Sequence, residues 1–95
     1  MQIIVETFRA SGENSGSNIR VRPLPGQGFS PAMRVECSKA MRTAFPIGQL
    51  FCVWVSVKSK EGGPDFLYSY HGDPWSPITP TAAATFIKNL GHLNR

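Results

Sequence analysis

The alternation of apolar and polar positions is sharpest between Pro46 and Tyr70. Phe51, Val53, Val55 and Val57 alternate with Cys52, Trp54, Ser56 and Lys58, the period of two that marks a strand with one buried face. Beyond Gly62-Gly63-Pro64-Asp65, the residues Phe66, Tyr68 and Tyr70 alternate with Leu67 and Ser69. Two such runs with glycine in the short gap predict a β-hairpin, against which the rest of the chain is expected to pack. Phe66 and Tyr68 are expected to join the core, with Tyr70 reaching the surface near His71.

Earlier in the chain, Ile3, Ile4, Val5 and Phe8 predict a first strand over residues 2–9. Residues 10–17 offer no large apolar side chain and read as a flexible connection. Ile19 and Val21 alternate with Arg20 and Arg22, which predicts a strand over 18–22 with a basic outer face. Pro23 and Pro25 end it, because proline cannot donate to a ladder.

Residues 30–45 carry two patterns. Met33, Val35 and Cys37 alternate as in a strand, while Met33, Cys37, Met41 and Ala44 also fit one helical face starting at Ser30-Pro31. The expectation adopted is a strand at 33–37 and a helix at 38–45. Ser38 would be its cap and Ala40, Met41, Ala44 and Phe45 its apolar side. Residues 72–77, with Pro74 and Pro77, read as a pinned loop carrying an exposed or partly packed Trp75. Thr79-Pro80 then starts an amphipathic helix over about 80–90, with Ala83, Phe86, Ile87 and Leu90 on one side and Gly91 following it.

Composition narrows the class. Apolar residues make up 41% and charged residues 17%, which favours a folded chain over a solvated one. Residues 1–95 form one domain with room for one modest core. Eight prolines and nine glycines favour short strands and tight turns over long helices. The expected architecture is α+β: a small, mainly antiparallel curved sheet or partly open β-barrel of about five strands, with one or two short helices. No apolar run is long enough to cross a membrane, and the N-terminus lacks the basic region and cleavage site of a secretory signal, so the expected location is cytoplasmic. Two cysteines make no disulfide framework, and Cys52 reads as a buried thiol.

The charge is +4, from ten Lys and Arg against six Asp and Glu. Arg20, Arg22, Arg34, Arg42, Lys58 and Lys60 lie in a stretch whose only acid before Lys60 is Glu36. Arg20, Arg22 and Lys58 take outward strand positions that pairing would interleave with Trp54 and the tyrosines. Cations beside stacking rings suit a single-stranded nucleic acid or another polyanion. The ordinary alternative is that such cations guard sheet edges and solubilise strand faces. Trp54, Tyr70 and Trp75 are equally candidates for an interface with a protein partner or a second copy of the chain.

Catalytic chemistry finds less support. His71 and Asp73 are close in sequence, and Cys37 or Ser69 could complete a nucleophilic set only through convergence that spacing does not reveal. Cys37 and Cys52 lack the partners of a metal site, and Gly26 and Gly28 lack the third glycine of a dinucleotide fingerprint. The sequence therefore predicts no catalytic residues, no metal and no cofactor. It reads as a non-enzymatic binding module, for nucleic acid or another polyanion on one reading and for a protein partner or homodimer on the other.

The run RPLPGQGFSPAMRVECSKAMRTAFPIGQLFCVWVSVKSKEGGPDFLYS resembles a group of small uncharacterised bacterial proteins of the integron gene-cassette type. The shared features are a strand start on Pro46, Gly48 and Phe51 and a hairpin over Lys60 to Tyr68. The resemblance spans about half of the chain and brings no catalytic or binding residues with it. More distantly, RVECSKAMRTAFPIGQLFCVWV is similar to swapped-hairpin transcription factors, in which a strand leads through a basic helical turn into a glycine-led strand. Cys37-Ser38 stands here where those proteins have proline.

Overall fold

A computed structural model describes residues 1–10 and 19–93, with side chains described up to residue 90. The connection expected at 10–17 lies, from residue 11 onward, outside the described residues. In chain order the elements are β1 (Gln2–Arg9), β2 (Ile19–Pro23), β3 (Val35–Glu36), α1 (Lys39–Thr43), β4 (Leu50–Trp54), β5 (Ser56–Lys58), β6 (Phe66–Tyr68), β7 (Trp75–Ile78) and α2 (Pro80–Leu93). The class is α+β as expected, with seven strands in two sheets among the described residues. One sheet has the order β2-β1-β4-β7 and the other β3-β6-β5. All neighbours are antiparallel except β3 and β6, which run parallel.

The predicted hairpin forms only in its distal half. Ser56, Val57 and Lys58 face Tyr68, Leu67 and Phe66, whereas Leu50–Trp54 joins the other sheet between β1 and β7. The single run from Leu50 to Lys58 therefore serves both sheets, and Val55 is the residue at which it changes. Val55 is buried, and its N–H donates to the Met1 carbonyl at 2.8 Å while its own carbonyl accepts from the Met1 nitrogen at 3.0 Å. The centre of the fold is thus the β1–β4 pair, not the hairpin. No closed barrel forms: β2 and β3 approach one another, yet neither sheet pairs them.

The successive burial of Ile3, Ile4 and Val5 follows from this arrangement. Ile3 and Val5 join Val21, Phe51, Val53, Val55, Val35, Leu67 and Met41 in the larger core between the sheets. Ile4, on the other face, packs with Leu50 and with Ala83 of α2, flanked by Phe86 and Ile87. Sealing both faces of one strand removes three branched side chains from water, worth about 1.5–3 kcal/mol each.

Beyond Pro23, β2 has turned away, and on that side Ile4 keeps one backbone bond, its carbonyl accepting from Leu24 N at 3.1 Å. Gln27 supplies the rest. The Ile4 N–H donates to Gln27 Oε1 at 2.7 Å, and Gln27 Nε2 donates to the Ile4 carbonyl and the Leu24 carbonyl, both at 2.9 Å. A side-chain carboxamide carries one donor and one acceptor group as a peptide does, so it can complete a ladder where the backbone has left.

Both helices start where the caps predict. Ser38 Oγ accepts from Met41 N at 3.4 Å, and Thr79 Oγ1 accepts from Ala82 N at 3.1 Å. The order strand then helix holds, but the strand is only Val35–Glu36 where 33–37 was expected and the helix Lys39–Thr43 where 38–45 was. The helix α1 buries Met41, while Ala40 and Ala44, expected on its apolar side, are exposed. The second helix runs to Leu93, so Gly91 lies inside it, not after it.

Two side-chain expectations are corrected. Leu67 is the core residue of β6, while Phe66 and Tyr68 are only half-buried. Pairing with Val57 and Val35 turns Leu67 inward and the two larger rings to the outer face. Trp75 begins an edge strand where a loop was expected; Pro77 is compatible with it because an edge strand leaves one side unpaired.

Candidate functional site

The first cluster of predicted site residues gathers around β2. Strand alternation puts Arg20 and Arg22 on the face opposite Val21, in register with Phe8 and Glu6 of β1. Arg22 is held there: its Nε and Nη2 each lie 2.9 Å from Glu6 Oε1, and its guanidinium sits 4.6 Å from the centre of the Phe8 ring. Arg42 arrives from α1 and donates through Nη1 to the Ile19 carbonyl at 3.0 Å, tying the helix to β2. Its buried Nε has no hydrogen-bond partner. Arg34, just before β3, reaches Glu36 at 3.4 Å and remains largely exposed.

These four arginines line one groove of about 700 Å³, together with Phe8, Met33, Glu36 and Cys37. Exposed ion pairs such as Arg34–Glu36 contribute about 0–1 kcal/mol, so an incoming anion can replace the carboxylate at little cost. Burial pushes the Cys37 thiol from 9.0 up to about 11, against a smaller downward pull from Arg42. Such a shift favours the neutral thiol at neutral pH, which does not suit a nucleophile. Burial likewise raises the Cys52 thiol, which is half-buried against the α2 side of the sheet.

The groove does not end at Arg34. A second hollow of about 220 Å³ shares Ala32, Met33, Arg34 and Glu36 with it and continues to Lys60 and Phe66. Lys60 Nζ lies 5.4 Å from the centre of the Phe66 ring, within cation–π range. Phe66 faces Lys58 across the β5–β6 pair, and Tyr68 follows two residues on along the same face. Lys58 and Tyr68 then line a third hollow of about 330 Å³ with Trp54, Tyr70, Asp73 and Met1. The seven residues picked out as a nucleic-acid face thus fall on a succession of hollows. Arg20, Arg22 and Arg42 stand at one end, Arg34 and Lys60 in the middle, and Lys58 and Trp54 at the other. Arg20 and Arg22 thus line a different hollow from Lys58 and Trp54.

Of the aromatic interface candidates, Trp54 and Tyr70 meet at the third hollow, 44% and 52% exposed. Trp75 lies apart from them. Its ring packs edge-on against Phe51 at 5.6 Å and Phe45 at 6.3 Å, on the core face of β7. His71 rests against Tyr70, with ring centres 4.5 Å apart. Cys37 lines the arginine groove and Asp73 the third hollow, so the His71, Asp73 and Cys37 set does not converge. Among the described residues, no three His, Cys, Asp or Glu side chains gather to hold a metal ion, and no helix is long and apolar enough to cross a membrane.

Sequence reasoning missed Phe66 and Asp73 as lining residues. Phe66 and Tyr68 were expected in the core, although the alternation with Leu67 was visible. Asp73 comes to the hollow through a turn closed by its N–H on the Tyr70 carbonyl at 2.9 Å. Comparison with protein-family models, with curated protein sequences and with solved structures finds no match to this chain.

Proposed function

We propose that this chain is a small non-enzymatic module that binds nucleic acid or another polyanion along the basic and aromatic track from Arg20 to Trp54. The observation that carries the reading is that two of the three hollows share lining residues, and the third follows from Phe66 across its pairing with Lys58. Arginines from β2, α1 and the approach to β3 share one groove, and that groove shares Arg34 and Glu36 with the hollow that leads to Lys60 and Phe66. Six cations spaced along the track suit a chain of phosphates better than a single anion. The half-buried rings beside them offer faces for bases.

Salt dependence tests it. At about 0.7 counterions released per phosphate on a single strand, six contacts predict a log–log slope of roughly −4. Affinity for a labelled single-stranded oligonucleotide should fall on the order of a hundredfold between about 50 and 200 mM salt. Replacing both Arg20 and Arg22 by Ala should flatten the slope by about one unit or more. Absence of salt-sensitive binding at low salt, or binding unaffected by the double replacement, refutes the proposal.

One observation favours a second reading, self-association. Met1, Trp54 and Tyr70 leave exposed apolar surface around a single hollow. A homodimer covering it would persist at high salt and dissociate on Trp54→Ala. A mass in solution that stays monomeric at all concentrations excludes it.

A further inference from the structure

We infer that the hollow between Trp54, Tyr68 and Tyr70 seats one unstacked nucleobase, with Lys58 for its phosphate and Asp73 for its amino group. This rests on the nucleic-acid reading above and names the form of ligand and a preference for a base with an amino group over thymine.

The three rings come from different places in the chain, the end of β4, the end of β6 and the turn after it, yet line one hollow of about 330 Å³. Among the described residues none of the three stacks on another, and the one close ring partner is His71 beside Tyr70. Trp54 and Tyr70 are 44% and 52% exposed at this hollow, so they present ring surface to a planar guest. Gly72 is what permits the Tyr70 wall. A Cβ at position 72 would lie 2.7 Å from Tyr70 Cε1 and 3.3 Å from Cδ1, so any side chain there displaces the ring. The same turn brings the Asp73 carboxylate to the hollow.

Charge decides what the guest is. An aromatic cage with one carboxylate could hold a quaternary ammonium group, but Lys58 lines the same hollow and repels a cation. A neutral base attached to a phosphate satisfies both charges: Lys58 takes the phosphate and Asp73 accepts from the base. Bases inside a duplex are stacked and cannot enter, so the ligand is single-stranded. Ionised Asp is an acceptor only, which favours cytosine, with its N4 amino donor, over thymine, which presents the O4 acceptor there.

Two measurements on the full chain test this. In the first, Trp75→Phe leaves Trp54 as the sole indole, and its fluorescence is followed during addition of cytidine monophosphate, thymidine monophosphate or tetramethylammonium. In the second, labelled oligodeoxycytidine and oligothymidine of about ten nucleotides, within the span of one small binding domain, are titrated against the unmodified chain and its variants. The expected results are stronger quenching by cytidine monophosphate and a several-fold tighter fit for oligodeoxycytidine. Asp73→Asn should remove that preference and leave the salt slope unchanged. Trp54→Ala and Gly72→Ala should each weaken binding by roughly tenfold, again without altering the slope.

Salt-dependent oligonucleotide binding that ignores Trp54→Ala overturns the base seat and leaves the arginine groove standing. Quenching by mononucleotides without salt-sensitive oligonucleotide binding supports the seat and overturns the track. Quenching by tetramethylammonium in place of nucleotides overturns the base assignment in favour of a cation. If no probe quenches Trp54 and no oligonucleotide binds, both proposals fall.

Discussion

Gln27 acts as a strand partner for Ile4: its carboxamide meets the Ile4 N–H at 2.7 Å and the Ile4 carbonyl at 2.9 Å, where β2 has already left the sheet. The carbonyl also accepts from Leu24 N at 3.1 Å, so only the N–H depends wholly on Gln27. Gln27→Leu should orphan this buried donor and cost about 1–3 kcal/mol, visible as a lower denaturation midpoint with an unchanged m-value. Gln27→Glu keeps the acceptor but turns an anionic oxygen on the Ile4 and Leu24 carbonyls, so it should also destabilise. An unchanged midpoint for Gln27→Leu would show that water or another group satisfies Ile4.

Val55 is 5% exposed and lies where β4 passes into β5. Val55→Asp sets a carboxylate among the apolar side chains of the core, and should cost several kcal/mol, enough to unfold a domain of this size. Thermal melting followed by circular dichroism decides the matter; retention of the original melting temperature would contradict the placement of Val55 in the core.

The two tryptophans should separate stability from binding. Trp75 packs edge-on against Phe51 and Phe45, so Trp75→Ala should destabilise by about 2–4 kcal/mol. Trp54→Ala removes a half-exposed ring and should change stability by less than about 1 kcal/mol, while altering oligonucleotide affinity or solution mass. Equal melting shifts for the two variants would mean that Trp54 packs as a core residue does.

With its thiol raised to about 11, Cys37 should alkylate slowly at pH 8 and faster only as pH approaches that value, with denaturant restoring ordinary reactivity. Linkage gives the matching stability effect. The neutral thiol is favoured in the folded state, so its contribution is complete below the unfolded value near 9 and is lost as pH rises through about 11. Cys37→Ser should flatten the stability profile in that alkaline window. A denaturation midpoint that falls equally in both proteins would assign the loss to other groups.

What was legible in the sequence was local. The Ile3-Ile4-Val5 run, the Arg20/Arg22 alternation and the capping residues Ser38 and Thr79 each carry their signal within a few positions, and each element stands where it was expected. The change of sheet at Val55 left no such mark. Phe51, Val53 and Val55 stay on one period of two straight through it, because a strand can bend between sheets without losing its inward face. Pro74 and Pro77 disguised β7, since a proline-rich edge strand and a loop read alike. The cations of the site were visible, but their grouping was not. Arg34 and Arg42 reach the β2 groove only through the parallel β3–β6 pair and the docking of α1, contacts between distant parts of the chain that composition cannot report.

The strand that changes sheets at Val55 also sets an order of assembly. β5 and β6 are joined by a short loop and can pair on the microsecond scale, while β1 meets β4 only after the chain between Gln2 and Trp54 closes on itself. A hairpin that forms first presents Val55, and β4 just ahead of it, as an edge onto which β1 and then β7 can add. Truncating Leu67 should therefore slow folding, whereas truncating Ile78 or Ala83 should mainly speed unfolding. On this order the chain would fold from its middle outward, with β1 joining after the hairpin.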